Sequence, residues 1–123
     1  MLKTKTGLEI KKVRGKGRGV FATKLYTEGA VVEVCPVITV LNNRDVRSNL
    51  NYYVYAWGKN RSALVGGCGS IYNHSNKPNA AVEMDYKTMT LTVMALRRIG
   101  SGDEIQFNYS PGYETQLGFK AKK

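Results

Sequence analysis

Short stretches of alternating or wholly apolar residues run along the chain, and none sustains a helical period. "LEIKKV" (Leu8 to Val13) alternates as a first strand. Glycines at 15, 17 and 19 then interrupt the pattern before a short apolar run, Val20 to Ala22. A turn at Tyr26 to Gly29 leads into a β-branched stretch, Val31 to Val40. Within it Pro36 predicts a bend or a sheet edge, because proline has no N–H to give a ladder. "LNNRDVRSNL" is polar, with room for one turn of helix, and "NYYVYAW" (Asn51 to Trp57) reads as an aromatic-rich strand. "SALVGGCGSIY" is short, apolar and heavy in glycine.

The clearest local signal is a hairpin. Ala80 to Met84 and Met89 to Leu96 flank the polar turn Asp85 to Thr88. In the second arm Leu91, Val93 and Ala95 share one face, and Thr90, Thr92 and Met94 share the other. "IGSGDEIQFNY" adds a turn and one more short strand. The fold predicted is mostly β, built from many short strands, with little helix, no internal repeat and no low-complexity linker.

Composition narrows this picture. A chain of 123 residues fits a single domain, and its 42% apolar share is that of a globular protein. No run approaches the length of a membrane span, and "MLKTKTGLEIKK" lacks the apolar core of a signal peptide, so a soluble, intracellular protein is expected. Cys35 and Cys68 lie in apolar or glycine-rich surroundings, as buried free thiols do. Cysteine and histidine together number three, short of the four ligands of a structural zinc site, so no metal is expected. The net charge is +10, and eight of the 19 basic residues fall in the first 24 positions against one acid, Glu9. Such a field attracts polyanions or acidic surfaces.

Taken singly, the candidate motifs carry little. "GKGRG" has neither phosphate-loop spacing and no helix after it, although amides freed by glycine can cradle a small carboxylate. His74 is the only histidine, and no second one or nearby Asp completes a triad or metal set. Asn73, Ser75 and Asn79 can each bond backbone groups and pin an irregular loop.

Together and in order, the motifs resemble the SET-domain lysine methyltransferases. "KGRGVFA", "GAVVE", "YYVYAW", "GSIYNHSNKPNA" and "SGDEIQFNY" span about Glu9 to Tyr113, with a tail over 114–123. The pairing of NHS…PN with GDE…NY some thirty residues later is the most specific part. At this length the chain is similar to the minimal SET domains of viruses and prokaryotes. The resemblance implies several small twisted sheets around a pseudoknot-like crossing. There, the segment like Ile71 to Ser75 passes through a loop closed by the segment like Asp103 to Tyr109.

It also implies S-adenosylmethionine as cofactor. Lys16, Gly17, Arg18 and Gly19 would bring backbone groups to its methionine end, and Asn73 would bond its amino group. Main-chain groups at His74 would bond adenine, with Tyr113, or less readily Phe119, covering the ring. Tyr109 matches the catalytic tyrosine beside the transferring methyl, and Tyr53 matches a second tyrosine lining the lysine channel. Phe107 matches a position where Phe or Tyr tunes the number of methyls added, and Phe implies di- or trimethylation. Methyl transfer to an amine needs alignment more than a strong base, and alignment contributes on the order of 7–11 kcal/mol.

The chain departs from the family in three places. The tail "SPGYETQLGFKAKK" has no cysteine, so it or a second subunit of a homodimer must close the channel. Asn76 stands at the usual cysteine of NHSC, and Ser110 where glycine often follows the tyrosine. Expected substrates are lysines in histone tails or other basic, DNA-associated proteins. Their basic charge requires acids such as Glu83, Asp85 or Glu114 along the groove, or nucleic acid near the basic surface. The competing reading is an inactive SET-like module that binds nucleic acid or a peptide.

Overall fold

A computed structural model describes residues 2–5, 7–45 and 54–108. Among the described residues the chain is mostly strand, and its one helical element is a single 3-10 turn, Asn43–Asp45. The strands are β1 (Leu2–Lys5), β2 (Leu8–Val13), β3 (Gly17–Ala22), β4 (Val31–Asn42), β5 (Val54–Ala56), β6 (Arg61–Val65), β7 (Asn73–His74), β8 (Ala80–Asp85), β9 (Thr90–Ala95) and β10 (Glu104–Phe107).

They form two five-stranded sheets, ordered β1-β2-β3-β10-β7 and β5-β6-β4-β9-β8. The second sheet is antiparallel throughout. In the first, β10 pairs antiparallel with β3 but parallel with β7. That parallel pair joins segments some thirty residues apart and makes the chain crossing.

Period-two alternation decides which faces meet. Leu8 and Ile10 of β2 oppose Ala22 and Val20 of β3, and all four are buried. Leu91, Val93 and Ala95 of β9 are buried on one face, as the sequence pattern predicts. With Cys35, Ala63, Val65, Ile105 and Phe107 they form one continuous core between the sheets. Cys35 and Cys68 are buried and unbridged, as expected.

Two local expectations need refinement. The hairpin arms run to Asp85 and start again at Thr90, because the Asp85 carboxylate accepts the N–H groups of Lys87 (2.9 Å) and Thr88 (3.0 Å) and so shapes the turn. Pro36 neither ends its strand nor lies on an edge strand of the sheet. β4 is central, but Val31 to Pro36 pair with β9 and Val37 to Asn42 pair with β6, so Pro36 sits where the partner changes. The missing N–H therefore costs no ladder bond, while its carbonyl still accepts Gly66 N–H at 2.8 Å.

Candidate active site

The candidate site is built where β7, β10 and the end of the β2–β3 hairpin meet. Gln106 and Phe107 of β10 lie opposite Asn73 and His74 of β7. Ser75 continues the pairing by donating its N–H to the Phe107 carbonyl at 3.1 Å. Beyond this the chain turns through "NKPN", and a side chain takes over from the ladder. Asn79 Nδ2 donates to the Glu104 carbonyl (2.8 Å), and its Oδ1 accepts the Gln106 N–H (2.9 Å). Its own N–H reaches the Gln106 carbonyl at 3.2 Å. One amide side chain thus serves both a donor and an acceptor of β10, which a two-residue β7 is too short to reach.

Asn73 binds three elements together. Its Nδ2 donates to the Arg18 carbonyl of β3 (2.9 Å) and to Glu104 Oε2 of β10 (2.7 Å). Both amide hydrogens are thereby used, and Oδ1 keeps its capacity to accept. Gly19 permits the approach: a Cβ there would run into the Glu104 carboxylate, Val13 Cγ2 at 2.8 Å and Asn73 Nδ2 at 2.9 Å. Gly19 is buried, whereas Lys16, Gly17 and Arg18 are exposed at the hairpin end, so the predicted turn and the predicted asparagine do come together.

His74 is half-buried, and its Nε2 lies 3.0 Å from Asn76 Oδ1. The asparagine at the family's cysteine position is thus a partner of the histidine ring. The His74 carbonyl accepts from Gln106 Nε2 at 3.4 Å, and Ser75 Oγ accepts the Lys77 N–H at 3.0 Å. Among the described residues no group of three or more His, Cys, Asp or Glu side chains could hold a metal.

Phe107 is 1% exposed, with its ring 5.3 Å from that of Tyr72 and 6.0 Å from that of Tyr55. The Tyr55 hydroxyl donates to the Gly69 carbonyl, and Tyr72 donates to Glu33 Oε1 at 2.7 Å. Burial, and then the Glu33 carboxylate, push the Tyr72 hydroxyl far above its ordinary pKa, so it remains a donor at any working pH. Tyr53, Tyr109, Tyr113, Phe119 and Glu114 lie outside the described residues. Of the acids expected along a groove, Glu83 is half-buried on β8, and Asp85 is spent on its own turn.

Sequence reasoning gave no role to Glu104, Tyr55, Tyr72 or Glu33. Glu33 carries a readable signal, since it is an acid inside an apolar β-branched run. The other three are recognisable only from what they touch.

The SET-domain family profile matches residues 17–110. A curated relative from Schizosaccharomyces pombe, a histone-lysine N-methyltransferase specific for H3 lysine-37, is 30% identical over 106 residues, covering 83% of this chain and 72% of its own. A crystal structure from Plasmodium falciparum, of a candidate histone methyltransferase, superposes with a TM-score of 0.70 at 31% identity. That match covers 84% of this chain and 96% of the other. Among the described residues, no helix is long and apolar enough to cross a membrane.

Proposed function

This chain belongs to the SET-domain family, and on that premise we propose that it is a protein-lysine N-methyltransferase using S-adenosylmethionine. The observation that carries the reading is the junction at Asn73. The glycine turn, β7 and β10 converge on one amide whose carbonyl oxygen is still able to accept. A sulfonium-bearing amino acid presents an ammonium that such an oxygen can hold, and the nearby Glu104 carboxylate adds a favourable charge. When bound, the cofactor supplies an electrophilic methyl.

The chain's own residues then bind and align. Asn73 and the backbone of Lys16 to Gly19 would hold the methionine end, and the main chain at His74 would hold the adenine. By resemblance to the family, Tyr113 would cover that ring, Tyr109 would act beside the transferring methyl, and Tyr53 would line the channel through which the lysine enters. Phe107 has no hydroxyl with which to order a crowding water, so a methylated amine keeps room to turn, and the product is a di- or trimethyl-lysine. Residues of about 9–113 make up one catalytic domain, with the channel closed by the tail or by a second copy of the chain.

The substrate class proposed is a lysine in a histone tail or another basic, DNA-associated protein, as the relative's H3 lysine-37 specificity supports. The basic surface, in which Lys12, Arg14, Lys16 and Arg18 are all exposed, keeps the enzyme near nucleic acid. Calorimetry with S-adenosylmethionine, followed by methyl transfer to histone H3, tests the reading. Binding with transfer supports it, and absence of binding turns the reading to a non-catalytic module. Tyr109→Phe keeps the fold and the cofactor and loses most turnover; full activity removes Tyr109 from the mechanism. Mass spectrometry distinguishes the product, and a product stopping at one methyl under saturating enzyme overturns the role given to Phe107.

A further inference from the structure

Glu33 is a carboxylate in an apolar stretch of β4, between Val32 and Val34, and only 3% exposed. No step proposed above uses it. Among the described residues the hydrogen-bond partners of its carboxylate lie in the glycine-rich loop that leads into β7. Oε2 accepts the Cys68 N–H at 3.0 Å, and Oε1 accepts the Tyr72 hydroxyl at 2.7 Å. Gly67 leaves no room for a side chain beside it: its φ is +62°, and a Cβ there would stand 2.5 Å from Glu33 Oε2. The loop is wrapped around this carboxylate, and the residue after Tyr72 is Asn73.

The rest of the loop is held by the same sheet. Gly66 donates to the Pro36 carbonyl at 2.8 Å, Ser70 Oγ donates to the Val65 carbonyl at 3.2 Å, and Tyr55 donates to the Gly69 carbonyl. β7, only a residue further on, belongs to the other sheet. Glu33 therefore grips the last turn before the chain passes from one sheet to the other. A carboxylate suits this place because it only accepts, and both groups facing it donate. An apolar residue of equal size would take away the acceptor that the Cys68 N–H and the Tyr72 hydroxyl share.

We infer that Glu33 is a positioning residue: it holds Cys68 and Tyr72 so that Asn73 meets the Arg18 carbonyl and Glu104. It touches no reactant and acts through the loop. Its consequence for cofactor binding rests on the function proposed above; its grip on β7 does not.

The test compares Glu33→Gln, Glu33→Ala and Tyr72→Phe with the unaltered protein, well below its unfolding temperature. Amide hydrogen exchange read by NMR should show Cys68 and Ser75 losing protection at least about tenfold more than the β2–β3 ladder. Glu33→Ala loses most, and Glu33→Gln, which keeps one acceptor, loses less. Uniform loss in both regions, or no loss at Ser75, overturns the inference, because a purely structural residue lowers protection everywhere through global unfolding. Should Glu33→Ala not fold, the other two variants carry the same comparison.

Calorimetry separates this inference from the proposed function. Glu33→Ala should bind S-adenosylmethionine about tenfold more weakly, with turnover at saturating cofactor falling less. If the unaltered protein binds and Glu33→Ala, still folded, binds equally well, the positioning role falls. If the unaltered protein does not bind, the enzyme reading falls, and the exchange data alone decide on Glu33.

Discussion

The β8–β9 hairpin and the β7–β10 crossing are neighbours along the chain, since Asn79 closes one and Ala80 opens the other. They are held by different means. The hairpin has six register pairs in sequence, an apolar face of alternate residues and a turn shaped by its own Asp85. The crossing has two register pairs, and beyond two further backbone bonds, from Ser75 and Asn79, it is held by the side chains of Asn73, Asn79 and Gln106. A hairpin spends little entropy in closing and repays it locally, residue by residue. A crossing between distant segments closes a long loop first, and its few strand pairs must be supplemented by polar groups placed to the ångström.

The difference can be broken at either end. Leu91→Ala empties a fully buried site in the hairpin and should cost about 3 kcal/mol, read by denaturant unfolding, while the folded fraction keeps its cofactor affinity. Asn79→Ala removes the two side-chain bonds to β10 and should cost about 2 kcal/mol because the site is half-buried. Unlike Leu91→Ala, it should also weaken cofactor binding measured by calorimetry. Equal effects of the two variants on affinity would mean that hairpin and crossing do not act as separate units.

The smallest effect belongs to the hairpin turn. The N–H groups of Thr88 and Lys87 hold the Asp85 carboxyl below its ordinary pKa. A carboxylate with a depressed folded pKa contributes stability that is present above the unfolded value, about 3.9, and lost as pH falls through the folded one. The gap in Tm between the unaltered protein and Asp85→Ala should therefore narrow on acidification from about pH 5 to about pH 3. A gap that stays constant would place the contribution of Asp85 in backbone shape and not in its charge.

The same contrast explains how much could be read in advance. The hairpin, β2 and the short strand over 104–107 followed from alternation and turn residues, within a residue or two at their ends. Pro36 was expected at a bend or a sheet edge and instead lies within a central strand, because the change of partner that accommodates it depends on where β6 and β9 lie. The motif order pointed to the family, and the candidate turn and Asn73 do come together. Glu33, Glu104, Tyr55 and Tyr72 were not assigned roles, because their contacts span 14 to 39 residues of sequence.

What the amino-acid order determined alone is the set of local elements: where strands alternate, where glycine and aspartate turn the chain, and which motifs stand in which succession. These depend on neighbours a few residues away, and periodicity records them. What only the folded molecule decided is the partnership of distant groups, above all the carboxylate of one sheet beneath the loop that feeds the other. Such pairings obey no period, because they arise when a buried donor must find an acceptor and the nearest one belongs to another part of the chain.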